Sequence, residues 1–262
     1  MQKLNLILLL CLLFSLNLKS QILNGDFEEY SSCPTGFSTP FDNQLNHCEN
    51  WYFPTDGTSD YFNTCAISTP VSIPSNFAGF QEAYFGNGYA GIWANEFFFG
   101  ALFDCSNGSK TSYSREYIQQ ELDIPLSVDS IYHISFFISL ADSLGGYAVK
   151  NIGLKFSEEN QQTNCFRPII ATPDILSSDF VTETQGWVKV EGYYKANGTE
   201  KFVTIGNFKD TLEFHLDTLC TRPNTDWQDE IFREAPIQNH SVSISGGNDV
   251  VKYYASGEYM NQ

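Results

Sequence analysis

Positive charge is scarce in this sequence, and it has no apolar run long enough to span a membrane. Its 262 residues include 14 Lys and Arg against 31 Asp and Glu, a formal net charge of −17 at pH 7. A chain with this balance repels phosphate backbones and anionic lipid surfaces, so we expect no nucleic-acid partner. Hydrophobic residues still make up 42% of the chain and charged residues 17%, which predicts a folded core rather than disorder.

The first 20 residues have the order of a secretory signal peptide. Lys3 lies in a short positive head, an apolar run extends from Leu6 to Leu16, and small or polar residues follow by Ser20. The run is too short for a spanning helix with ordinary flanks, so we expect no transmembrane span. The sequence therefore predicts an exported protein, located in the periplasm, at the outer-membrane surface or outside the cell.

Six cysteines remain once Cys11, inside the predicted signal peptide, is set aside. They are Cys33, Cys48, Cys65, Cys105, Cys165 and Cys220. An even number in an exported chain favours disulfide bonds, and the lack of CxxC spacing or a nearby His pair makes a zinc site the weaker interpretation. Spacing does not determine connectivity, although the short loop between Cys33 and Cys48 favours that pair.

The middle of the chain has the period-two pattern of half-buried strands. In "SIYHISFFISLAD" the apolar side chains of one face alternate with the polar side chains of the other. The apolar face consists of Tyr132, Ile134, Phe136, Ile138 and Leu140. "GWVKVEGYYKANGTEKFVTIGNF" repeats the pattern on both sides of the turn signal "ANGTE". We expect an all-β, two-sheet antiparallel sandwich with the 131–140 strand at its centre.

Residues 41–112 are rich in aromatics and glycine but have little clean alternation. They predict long loops and short strands across one end of the sandwich, and loops of this kind usually carry function.

Six collinear motifs carry a resemblance to a known family. They are "ILNGDFEEYSSCP", "CENWYFPTDGTSDYFNTC", "GNGYAGI", "REYIQQELDIPL", the strand "ISFFISLAD" and "IGNF". Over about residues 22–208 the chain resembles the exported jelly-roll modules of envelope proteins from gliding and glycan-degrading Gram-negative bacteria, which are similar to galactose-binding-like carbohydrate-binding domains. The resemblance implies a jelly-roll domain over residues 21–220, with a ligand that is generally not established for the family.

The same resemblance implies a structural calcium ion. In related jelly rolls an "NGDFE" opening strand and a late aspartate supply hard oxygen ligands, which suit that ion. The matching residues here are Asn24, Asp26, Glu28 and Asp217, with Thr218 where the family has a second acid. The alternative is that Asn24 to Asp26 simply form a turn before a strand.

Sugar binding would require aromatic faces beside a few fixed polar groups. The candidates in the loops are Trp51, Asp60, Tyr61, Asn63, Tyr89 and Trp93. The alternative is that the large aromatics are core residues beneath the loops. Catalysis is not expected, because the four histidines have no neighbouring nucleophile motif. Glycoside hydrolysis needs two carboxylates at a defined separation, and scattered acids in an acidic chain are no specific sign of such a pair.

Four Asp-Ser/Thr-aliphatic triplets resemble the O-glycosylation signal of exported proteins in the same bacterial group. They place candidate sites at Ser130, Ser143, Thr211 and Thr218.

The last 40 residues carry a second resemblance. "NTDWQDEIF", "SVSISGG" and "YYASGEYMNQ" resemble the start of the barrel of glycan-importing TonB-dependent outer-membrane receptors, just after their plug domain. Two alternating segments flank the turn signal "GGND", so a β-hairpin is expected within a receptor-like fragment over residues 221–262. This arrangement indicates a chimeric or truncated product without receptor activity.

Together these features favour a non-catalytic, exported envelope domain that binds glycan. The alternative is a structural or adhesive surface domain whose loops contact protein and not sugar.

Overall fold

A computed structural model describes residues 21–39, 41–67, 69–94, 115–144, 148–162 and 168–209, together with the backbone of residues 238–247 and 252–261. Within these ranges the protein is nearly all β, with one short 3-10 helix at Gln44–His47. The strands are β1 (Asp60–Asn63), β2 (Ser75–Asn76), β3 (Gly79–Phe80), β4 (Gly88–Gly91), β5 (Tyr117–Glu121), β6 (Ile131–Ile138), β7 (Ile152–Ser157), β8 (Ile175–Leu176), β9 (Val188–Lys195), β10 (Phe202–Asn207), β11 (Gln238–Gly247) and β12 (Lys252–Asn261). The pairings between them are antiparallel, which confirms the predicted all-β class.

The largest sheet has the strand order β5-β10-β7-β8. Strand β10 lies inside it, and its Val203 is fully buried. Gly206 pairs with Tyr117 of β5, where a Cβ atom would lie 2.2 Å from the tyrosine ring. The absence of a side chain at residue 206 therefore leaves room for the Tyr117 ring to pack against the β10 backbone.

The pair formed by β6 and β9 packs against this sheet. One hydrophobic cluster contains Ile134 of β6 and Val190 of β9 together with Leu154, Phe156 and Val203 of the larger sheet. Burying apolar area between two layers, at about 25 cal/mol per Å², is the main stabilising term of such a fold.

The predicted inner face of β6 is confirmed, because Tyr132, Phe136 and Ile138 pack against that cluster. The predicted central position of this strand is wrong. Among the described strands β6 pairs with β9 alone, and the inside positions belong to β10 and β7. Hydrophobic alternation shows which face of a strand is buried, but not how many neighbours the strand has.

The loops before β5 contain the short strands β1 to β4. β1 pairs with β4, and β2 pairs with β3. Two small cores lie beneath them, one around Leu45, Trp51 and Tyr61 and one around Phe62 and Val71.

The chain divides into two compact units between residues 219 and 220. In the second unit β11 and β12 pair in antiparallel register from Gln238–Asn261 to Gly247–Lys252. The predicted C-terminal hairpin is therefore present in the backbone.

Candidate binding pocket

A surface pocket of about 350 Å³ opens beside the outer edge of β5. Its lining residues are Asn46, Cys48, Asn50, Trp51, Tyr52 and Glu121. The volume is near the lower end of the range of small-molecule sites, so it suits one or two sugar rings.

Backbone pairing builds one wall of the pocket. Tyr52 donates its N–H to the carbonyl of Gln119 at 3.0 Å and accepts the N–H of Gln119 at 2.7 Å, as in an antiparallel ladder. The Tyr52 hydroxyl also donates to Gln119 Oε1 at 3.1 Å. The segment around Tyr52 thus extends the sheet beyond β5 and places its ring on the same face as Gln119.

Trp51 forms the floor. Its side chain is 4% exposed, its ring stacks on Phe27 at 5.3 Å between centroids, and its Nε1 donates to the carbonyl of Asn24 at 2.9 Å. Cys48 is also buried and accepts a hydrogen bond from Asn24 Nδ2 at 3.3 Å. The base of the pocket is therefore rigid and largely apolar.

Asn24 holds the chain around this floor. Its Oδ1 accepts the N–H of Glu29, and its Nδ2 donates to the carbonyls of Glu29 and Glu49. Its φ of 46° lies in the left-handed region, which asparagine tolerates better than most residues.

Two groups of the pocket are held in their neutral forms. Burial raises the pKa of the Cys48 thiol, the Asn24 hydrogen bond lowers it, and the charges of Glu49, Asp26 and Glu28 raise it again, so that the pKa is about 12. Burial, followed by the charge of Glu121, raises the pKa of Tyr52 to about 12. Cys48 is therefore a poor nucleophile at neutral pH.

The six residues that the sequence proposed for sugar binding lie in different environments. Tyr61 and Asn63 are fully buried and hydrogen-bonded to each other, and Trp51 is the pocket floor. Tyr89 stacks on Phe62 at 5.0 Å, while Trp93 is the most exposed of the four aromatics at 36%. The residues do not form one platform, so their joint role in sugar binding stays a prediction.

Asp60 is a half-buried acid that lies near enough to buried Glu116 to be affected by its charge. Its Oδ1 accepts the N–H of Ser38 at 2.6 Å, and burial raises its pKa to about 8, with a further contribution from the charge of Glu116. The Glu116 carboxylate in turn accepts the N–H groups of Thr58 and Trp93 at 3.0 and 2.9 Å. Both carboxylates fasten loops to the sheet.

Two of the proposed calcium ligands, Asn24 and Glu28, have hydrogen-bond partners in the loops. Asn24 is committed to its loop, and the carboxylate of Glu28 accepts three N–H groups from Asn87 and Gly88. Within the described ranges no cluster of three metal-ligating acids, histidines or cysteines is found, and Asp217 lies outside them. Glu28 thus fastens the 86–88 loop, and calcium binding stays a prediction.

The favoured cysteine pair is wrong. Cys33 is bonded to Cys65, with 5.7 Å between their Cα atoms, and Cys48 is a free thiol in the core. A short intervening loop was a poor guide, because Cys48 follows the 3-10 helix and points inwards while β1 brings Cys65 to Cys33. Cys105, Cys165 and Cys220 lie outside the described residues.

Two of the proposed glycosylation sites can be placed. Ser130 donates its N–H to the Ser127 carbonyl in the turn before β6, and Ser143 is an exposed residue after it. Thr211 and Thr218 lie outside the described residues. Modification at all four sites stays a prediction.

Sequence reasoning missed four of the pocket residues: Asn46, Asn50, Tyr52 and Glu121. The run "NWY" at 50–52 was a usable local signal, since it sets an amide beside two large aromatics. No local sequence signal pointed to Glu121, because its place in the pocket depends on β5 pairing with a distant segment.

Part of the chain is similar to proteins of one class, the TonB-dependent receptors. Part of the chain is similar to TonB-dependent receptor P3 of Formosa agariphila, 54% identical over 67 residues, and to TonB-dependent receptor P26 of the same organism, 50% identical over 42 residues. These alignments cover 25% and 16% of this chain but only 7% and 4% of the receptors. They support the receptor-fragment interpretation.

No family model matches the chain, and no solved structure matches it. The jelly-roll resemblance therefore stays a prediction. The described residues contain no helix with the length and hydropathy needed to cross a bilayer.

Proposed function

We propose that residues 21–220 are an exported, non-catalytic jelly-roll module that binds glycan in the pocket beside β5. The observation that carries the proposal is the pocket lining, in which two amides, a tyrosine hydroxyl and a carboxylate surround an aromatic floor. Fixed polar groups around an apolar base are the usual composition of a site for a small polar ligand. Export is supported by the signal-like N-terminus, the disulfide and the similarity to outer-membrane receptors.

The lining favours binding over cleavage. Hydrolysis of a glycosidic bond by the usual routes uses a pair of carboxylic acids on opposite sides of the bond. Among the described lining residues Glu121 is the single carboxylate. Cys48 offers no alternative, because its thiol is buried and its pKa is raised.

An array of immobilised polysaccharides tests the proposal. The full mature chain should bind at least one member, and Asn50→Gly should weaken that binding by about tenfold, the effect of losing a well-placed hydrogen bond in a pocket. Glycine keeps the backbone at Asn50, whose φ is 70°, so the variant removes the amide without straining the loop.

Asn151→Gly is the matched control. Asn151 has a φ of 67° and lies just before β7. The pocket residue Glu121 is level with the other end of β7, because Phe202 pairs with both Glu121 and Ser157. The control should bind like the original protein. Absence of binding to the whole array, or equal binding by both variants, would refute the pocket as a glycan site.

A second candidate function is adhesion to protein. Phe77, Phe80, Tyr84 and Phe85 are all more than half exposed on the segment from β2 to the turn before β4. Exposed aromatic groups of this kind often mark interaction surfaces. If adhesion is the function, beads that carry this chain should attach to outer-membrane proteins. Replacing Phe77 and Phe85 by serine should abolish that attachment and leave binding to the glycan array unchanged.

A further inference from the structure

The pocket carries an asymmetric charge that restricts which glycans it can accept. Tyr52 forms an antiparallel bridge with Gln119. Asn50 and Glu121, each two residues away from this bridge along its own segment, both line the pocket. An amide and a carboxylate therefore share the pocket rim.

Negative potential reaches the pocket from below as well as from the rim. Glu49, Asp26 and Glu28 lie close enough to Cys48 for their charges to act on its thiol. Glu121 acts in the same way on the Tyr52 hydroxyl. These effects come from two sides of the same cavity.

No positive group balances this potential within the described part of the pocket. The lining contains no Lys, Arg or His. The Glu121 carboxylate makes no ion pair or hydrogen bond with another described residue. The whole chain, with a net charge of −17, adds a repulsive background for anions.

We propose that the pocket selects glycans by charge, accepting neutral and amino sugars and rejecting uronic acids and sulfate esters, with Glu121 as the specificity-determining residue. This proposal rests on the glycan-binding function proposed above. A sugar hydroxyl can donate to Glu121 and accept from the amide of Asn50. A protonated amino group gains a charge-assisted hydrogen bond to Glu121, whereas a carboxylate or sulfate would face it without a cation.

The test uses the full mature chain on immobilised polysaccharides grouped by charge. The neutral set is laminarin, mannan, xylan and agarose, the cationic probe is chitosan, and the anionic set is alginate, polygalacturonate and carrageenan. We expect the best anionic probe to bind at least about tenfold more weakly than the best neutral or cationic probe, the effect of one repelling charge at short range.

Glu121→Gln should remove this discrimination while keeping the size of the side chain. Chitosan binding should fall by about tenfold and anionic binding should rise, with neutral binding changed less than threefold. Asp179→Asn is the control, because it deletes one exposed negative charge beyond β8, at the sheet edge opposite to β5. It should leave the ranking of the probes unchanged.

The outcomes separate the two proposals. Binding to no probe would overturn the glycan function, and the charge selection with it. Preferential binding of an anionic probe, or a ranking that Glu121→Gln and Asp179→Asn alter equally, would overturn the charge selection and leave glycan binding in place.

Discussion

Removal of the Cys33–Cys65 disulfide should destabilise the first unit strongly. The bond joins positions 32 residues apart. In the chain-entropy account, closing a loop of that length lowers the entropy of the unfolded chain by an amount worth about 3.7 kcal/mol at 25 °C. With a urea dependence of about 2.5 kcal/mol per molar, the unfolding midpoint should fall by about 1.5 M.

The assay is urea unfolding of the oxidised mature chain, followed by tryptophan fluorescence, to which buried Trp51 contributes. Three variants are needed: Cys33→Ser, Cys65→Ser and the double variant. Each single variant should cost nearly as much as the double variant, because either substitution removes the same bond. Additive effects would mean that the two cysteines act separately.

Peptide mapping under non-reducing conditions gives an independent check. The original protein should yield a linked pair of peptides that contain Cys33 and Cys65, with Cys48 alkylated only after unfolding. A linked Cys33–Cys48 pair, or a loss of less than about 1 kcal/mol in all three variants, would refute the reasoning.

Four further predictions concern the acidic side chains and the C-terminal segment. Glu28→Ala leaves three N–H donors of the 86–88 loop without their acceptor. It should lower the free energy of unfolding, measured in urea, by about 1–3 kcal/mol. The control Glu29→Ala should lower it by under about 0.5 kcal/mol. Since the oxygens of Glu28 already accept those N–H groups, millimolar calcium should leave the melting temperature unchanged. A rise that Glu28→Ala abolishes would instead support a calcium site at Glu28. The pKa of Asp60 is raised from 3.8 to about 8 in the folded state, so the folded protein holds this proton more tightly. The stabilisation by the bound proton is present below pH 4 and is lost as pH rises towards 8. The free energy of unfolding should therefore fall between pH 5 and pH 8 by an amount on the order of 1–3 kcal/mol. Asp60→Asn should make the free energy of unfolding less dependent on pH over this range. Deletion of residues 223–262 should change the melting temperature of the first unit by no more than a few degrees, because the chain divides near that point; unfolding of the truncated chain would contradict this.

Local structure could be predicted from the sequence. Alternation over residues 131–140 set both the strand β6 and its inner face, since side chains of a strand point to opposite sides in turn. The turn signal "ANGTE" lies between β9 and β10, where the Glu200 carboxylate accepts the N–H groups of Asn197 and Gly198. The alternating segments around "GGND" form the paired strands β11 and β12. Each of these features depends on residues that are close together in the chain.

The tertiary structure alone decided which distant residues meet. The partner of Cys33, the inside position of β10 and the contribution of Glu121 to the pocket all depend on strand pairing between remote segments. The burial of individual side chains also depends on contacts between distant segments. Trp51 and Tyr61 are residue types that suit sugar stacking, but neighbouring loops enclose them. A periodic pattern reports which side of a segment is apolar, whereas the identity of what covers that side is set by the long-range pairing of the whole sheet.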